Sequence, residues 1–177
     1  MVNQNRTKYK TPKYEISGSN TLVVLDNLWQ ICYNLTMLYF AYGMNTNTQG
    51  MAQRCPAAVS HGRAILLDHV FRFAGPADVV KCPDSYVDGV LWTITPECLK
   101  ALDMLEGFPY YYNRRTKKVV HQGRAFDAMT YFMQPGNLDS EPSDGYFNMV
   151  LEGYKEHGVP TEQLYNSVYY STTVNPY

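Results

Sequence analysis

The sequence is poor in charge. Asp, Glu, Lys and Arg make up 18% of its 177 residues, and their formal sum is -1. Nucleic-acid-binding domains carry a basic patch or stripe, and 15 basic against 16 acidic residues leave little from which to build one. Cysteine is scarce and scattered. Cys32, Cys55, Cys82 and Cys98 form no CxxC pair, which argues against a disulfide framework or a zinc site. Free thiols in a reducing compartment fit them better. The four histidines, His61, His69, His121 and His157, lack HExxH or other ligand spacing. No metal or cofactor is expected. Long apolar runs are missing too: none approaches the roughly 20 residues that span a bilayer. The first residues are polar and mixed, unlike a secretory leader. The expectation is a cytoplasmic protein with no membrane or nucleic-acid partner.

Tyrosine, by contrast, is abundant, at 16 residues, within a chain that is 45% hydrophobic and long enough for one domain with a sizeable core. Each tyrosine offers an apolar ring and one hydroxyl. Such a chain either lines a pocket or packs tyrosine-rich strands, and composition alone does not separate the two.

Residues 1–20 are polar and read as a flexible arm. Residues 21–36 are more apolar, and their spacing fits a short strand or a helix. The compact domain is expected to start at Met37, giving an extension over 1–36 and a domain over 37–177. Residues 38–42 read as a buried strand stopped by Gly43. A short helix over 48–54 ends at Cys55-Pro56, because a residue before proline avoids helical angles. Strands follow at 57–67 and 69–74, then a Gly75-Pro76 turn and a strand at 90–94 opened by Asp88-Gly89. Thr95, Pro96 and Glu97 form a strong helix start. Cys98, Leu99, Leu102 and Leu105 recur at helical spacing, and Gly107 with Pro109 marks the stop. Two strands, 110–121 and 125–133, flank a Gln122-Gly123 turn. Helices are expected over 143–157 and 161–171. Short strands with segregated helices point to an α+β domain.

Three features carry chemistry. Glu106 lies at the end of the helix, where the backbone dipole is negative, between Leu105 and Phe108. Dipole and desolvation both raise a carboxyl pKa, as proton exchange near neutrality requires. The competing reading is a solvated glutamate. Tyr42-Gly43-Met44-Asn45 carries a strand into a glycine turn, which presents successive backbone N–H groups of the kind that bind a carboxylate or an oxyanion. An ordinary turn has the same local pattern. Tyr110, Tyr111, Tyr112, Tyr131 and Tyr146 supply hydroxyls for a pocket or rings for a core. Asp103, three residues before Glu106, is a second carboxylate near the same helical face, for which solvation on the helix surface is the simpler reading.

Six segments, LYFAYGMNTN (38–47), RCPAAV (54–59), DGVLWTIT (88–95), ALDMLEGFPYYYNR (101–114), TYFM (130–133) and GYFNMVLEGYKEHGVP (145–160), occur in an order that resembles the gamma-glutamylcyclotransferase-like family. That family includes plant AIG2-like proteins and the butirosin-maturation enzyme. The resemblance implies a small mixed β-barrel with flanking helices and a cavity at one end. It implies that Glu106, in an LDxxEG segment, is the catalytic acid/base, and that the YGSN-like turn from Tyr42 to Asn45 binds the substrate head group. Tyr131 and Tyr146 fall where the family places pocket tyrosines. The candidate site is thus Glu106 as the catalytic residue, with Tyr39, Tyr42, Gly43, Met44, Asn45, Tyr112, Tyr131 and Tyr146 as substrate-binding residues. Met44 stands where the family usually has serine, which removes a hydroxyl but keeps a backbone N–H. Residues 1–36 have no counterpart in compact family members, and a chain starting at Met37 is expected to keep fold and activity.

The implied reaction converts a small-molecule gamma-glutamyl amide to 5-oxoproline and a free amine or amino acid. The nucleophile is the substrate's own α-amine, so orientation supplies much of the rate. Two alternatives stay open: a catalytically silent small-molecule-binding protein of the same fold, and removal of a gamma-glutamyl protecting group from a larger metabolite.

Overall fold

A computed structural model describes residues 36–174. The expectations for the arm and for 21–35 lie outside the described residues. Five strands form a closed barrel in the order β1-β3-β2-β4-β5. They are β1 (Met37–Ala41), β2 (Val59–Phe73), β3 (Ala77–Ile94), β4 (Tyr112–His121) and β5 (Arg124–Met133). Neighbours are antiparallel except where β1 meets β5 in parallel, with Tyr39 opposite Met129. The hydroxyl of Thr130 reinforces that seam by donating to the Phe40 carbonyl at 2.9 Å. The four helices are α1 (Thr48–Arg54), α2 (Pro96–Leu105), α3 (Asp144–Glu156) and α4 (Glu162–Val174), and a short 3-10 turn spans Met44–Thr46. The mixed barrel with flanking helices is the α+β architecture that the resemblance implies.

The core on the two faces of the barrel wall is made of fully buried side chains, among them Phe40, Leu66, Phe73, Val87, Leu91, Ile94 and Val119, with Ala128 and Thr130 from β5. Burying a large apolar side chain contributes roughly 1.5–3 kcal/mol, so this core supplies the rigidity on which the barrel end is built. The largest departure from the sequence expectation lies in the β2–β3 hairpin. Two strands read at 57–67 and 69–74 are one strand, and β3 begins at Ala77 rather than at Asp88. The pairing slips between Leu67 and His69, where residues 82–85 of β3 loop out and both Asp68 and Asp84 take positive φ. Such a bulge lets the strands bend and continue, whereas Pro83-Asp84-Ser85 alone resembles a chain-reversing turn.

Three local features set the site end of the barrel. Thr95 caps α2 by accepting from Cys98 N–H, Pro96 occupies the first turn, and Gly107 ends the helix at φ +61, a conformation that favours glycine. Asn47 caps α1 by accepting from Gly50 N–H at 2.8 Å. Gly153 brings the backbone of α3 directly against Thr46 and Asn47, where any Cβ would collide with the Asn47 nitrogen. Helix and 3-10 turn are therefore packed without an intervening side chain.

Candidate active site

Where β1 and β5 end and β4 begins, the barrel opens into a cavity of about 140 Å³. Its walls are Tyr39 from β1, the turn Tyr42, Gly43, Met44 and Asn45, and Pro76 and Ala77 from the hairpin. Leu105 and Glu106 at the end of α2, Tyr111 and Tyr112 around the start of β4, Tyr131 from β5 and Tyr146 from α3 complete them. All nine candidate residues from the sequence meet here. Tyr110 does not: it is 90% exposed, in the connection before β4. Leu105 and Tyr111 line the cavity while remaining nearly half exposed, so they form its lip.

Glu106 is the C-cap of α2, and its backbone continues the helical path for one more residue. Its Oε1 accepts a 2.8 Å bond from Nδ2 of Asn45, which also donates to the Tyr39 hydroxyl at 3.1 Å. Burial pushes the Glu106 carboxyl up to about 7, against the lowering effects of the Asn45 bond and the Arg54 charge. Desolvation therefore outweighs both stabilising contacts, as a carboxyl in a mostly apolar wall requires.

The tyrosines are held individually. Tyr42 donates to the Tyr131 carbonyl at 2.8 Å, Tyr112 to the Ala77 carbonyl at 2.6 Å, and Tyr131 to Oδ1 of Asp103 at 2.7 Å. Tyr146 accepts from Ala77 N–H at 3.1 Å. Burial is the main cause that pushes the five inner cavity phenols (Tyr39, Tyr42, Tyr112, Tyr131 and Tyr146) above their ordinary range, Tyr146 up to about 12. They stay neutral wherever Glu106 titrates. Asp103 is neither a second acid in the cavity nor a solvated surface group: it accepts from Tyr131 and pairs with Arg114 at 3.2 Å.

Sequence reasoning missed Arg54 and Ala77. Arg54, at the end of α1, approaches Oδ1 of Asn45 at 3.2 Å. Ala77 acts through its backbone alone, a role that no side-chain pattern announces. Among the described residues no three His, Cys, Asp or Glu side chains converge as a metal site would need, and no helix is long and apolar enough to cross a membrane.

A family model described as gamma-glutamyl cyclotransferase, AIG2-like, matches residues 39–149. The gamma-glutamylcyclotransferases of Mus musculus and Bos taurus are 31% and 30% identical to this chain over 142 residues, covering 72% of it and 74% of each relative. A solved gamma-glutamyl cyclotransferase superposes with a TM-score of 0.68 at 29% identity, over 75% of this chain and 86% of its own. YkqA from Bacillus subtilis shares the fold, with a TM-score of 0.64 at 23% identity over 74% of this chain and 52% of its own. The chain belongs to the AIG2-like gamma-glutamyl cyclotransferase family.

Proposed function

We propose that this protein converts gamma-glutamyl amides to 5-oxoproline and a free amine, with Glu106 as the acid/base. The observation that carries the reading is a carboxyl with a pKa of about 7 inside a cavity whose other polar side chains are neutral. In its charged form Glu106 takes a proton from the substrate α-ammonium. The freed amine attacks the γ-carbonyl and closes a five-membered lactam. Glu106 returns that proton to the nitrogen of the breaking amide bond and relays the second proton of the attacking nitrogen to the same atom, so that neutral-ring 5-oxoproline and the amine, as its ammonium, leave. One residue serves both transfers because its pKa lies near neutrality, where each direction is accessible.

The turn from Tyr42 to Asn45 receives the head group in this reading. Tyr39 and Tyr146 accept bonds through their hydroxyl oxygens, so their protons are available to a bound carboxylate or carbonyl. Met44 contributes through its backbone in place of the usual serine. At about 140 Å³ the cavity is well below the range of pockets that enclose drug-sized ligands. It suits the gamma-glutamyl head, with the departing amine outside, against Leu105 and Tyr111.

Mass spectrometry of products from a panel of gamma-glutamyl amines, amino acids and peptides tests the reading. Formation of 5-oxoproline with a stoichiometric amine supports it. Tight binding without any product would leave a silent binding protein, and release of free glutamate would indicate hydrolysis.

A further inference from the structure

Arg54 faces an open groove between α1 and α3, yet its Nη1 stands 3.2 Å from Oδ1 of Asn45. A guanidinium carries donors only, so an amide meets it through oxygen. That turns the NH2 of Asn45 to the opposite side, where it donates to Glu106 and to Tyr39. A reversed amide would set donor against donor at Arg54 and oxygen against oxygen at Glu106. Asn45 is 2% exposed, so water offers neither mismatch a remedy.

A second residue clears the path. Arg54 folds back along its own helix over Gly50, four residues earlier, and a Cβ at Gly50 would stand 2.7 Å from Nη1. Glycine is otherwise a poor choice inside a helix. Its lack of a side chain admits the guanidinium to this position.

We propose that Arg54 is a positioning residue for the reaction: reaching across Gly50, it fixes the orientation of the Asn45 amide, which in turn anchors the Glu106 carboxylate. The inference rests on the reading of Glu106 as acid/base. The groups facing Glu106 are Arg54 from α1, Tyr39 and Tyr42 from β1 and its turn, Tyr112 from β4, Tyr131 from β5 and Tyr146 from α3. Behind Tyr131, Asp103 and Arg114 offset one another as an ion pair. The phenols being neutral, loss of Arg54 removes a positive charge and the lock on Asn45 together. Both losses favour the protonated carboxyl.

The full chain is compared with Arg54→Met, Arg54→Lys and Gly50→Ala. One readout is the titration of the Glu106 side-chain carboxyl by carbon-13 NMR, which needs no turnover. The other is the pH profile of kcat/KM. Arg54→Met is expected to move the carboxyl titration and the acid limb of the profile upward by about one pH unit. The rate loss is then about tenfold at pH 6 and mostly recovered at pH 9. Arg54→Lys, which keeps the charge, is expected to recover part of the shift. Gly50→Ala should shift the same limb upward while its melting temperature is kept or raised, since alanine favours the helix. An unmoved Glu106 titration in Arg54→Met, or a rate loss equal at every pH, would overturn the proposal. A shifted titration in a protein that forms no 5-oxoproline from any panel compound would uphold the positioning and sink the reaction on which it was placed.

Discussion

Asn45 and Glu106, 61 residues apart in the chain, are joined by one hydrogen bond of 2.8 Å from amide nitrogen to carboxylate oxygen. The turn after β1 and the end of α2 meet through it. The bond favours the charged carboxylate and burial favours the neutral acid. The balance, a pKa of about 7, leaves both forms populated at neutral pH.

Glu106→Gln keeps the side-chain shape and an oxygen to accept from Asn45 but removes the proton carrier. Turnover is expected to fall on the order of a thousandfold, with substrate affinity largely kept. Steady-state kinetics with calorimetric binding checks this. Near-normal turnover would rule out the role given to Glu106.

The same substitution carries a stability signature. Glu106 titrates at about 7 in the fold and at roughly 4.3 in an unfolded chain. The folded state holds the proton more tightly, so this group's contribution is full below pH 4 and is lost as pH rises through 7. Relative to wild type, Glu106→Gln should gain about 1–3 kcal/mol between pH 4 and pH 8, allowing for partial solvent screening. Denaturant unfolding at the two pH values measures it, and a difference independent of pH would contradict a buried, titrating carboxyl.

The proposed nucleophile belongs to the substrate. N-acetylated gamma-glutamyl compounds lack a basic α-amine and are expected to bind poorly and to yield no 5-oxoproline. Detection of N-acetylglutamate after incubation would show instead that water attacks the amide.

Gly43 packs against Tyr146: a Cβ there would lie 2.9 Å from the hydroxyl oxygen and 3.1 Å from Cβ of Ala77. Gly43→Ala is expected to displace the Tyr146 ring and to lower kcat/KM by about tenfold, since small displacements in a site are costly. Removing the hydroxyl with Tyr146→Phe relieves part of that clash. The double variant should therefore be more stable than the sum of its two single losses implies. Simple additivity in thermal unfolding would show that the two side chains do not interfere.

How legible each part was depends on how local its cause is. Helix α2 was readable because cap, first-turn proline and terminal glycine are consecutive or nearly so in sequence. The Gln122-Gly123 turn was readable for the same reason, and both residues take positive φ. The long hairpin was not, because its continuation through residues 82–85 is decided by strand pairing across the bulge rather than by neighbours in the chain. In the site, Glu106 and the glycine turn stood out by position, and the family resemblance gathered the tyrosines around them. Arg54 escaped because its contact depends on a fold-back over Gly50 that only the helix and the 3-10 turn together create.

Ala77 holds two tyrosines at once, giving its N–H to Tyr146 and taking the Tyr112 hydroxyl on its carbonyl. Both bonds belong to the peptide groups, so among side-chain exchanges only proline, which lacks the N–H, deletes one of them outright. The side chain itself packs beside Gly43, where an added Cβ would lie 3.1 Å from the Ala77 Cβ. Deletion scanning by alanine is blind to it by construction, since alanine is already there. The geometry of two phenols is thus carried by the main chain of a single residue.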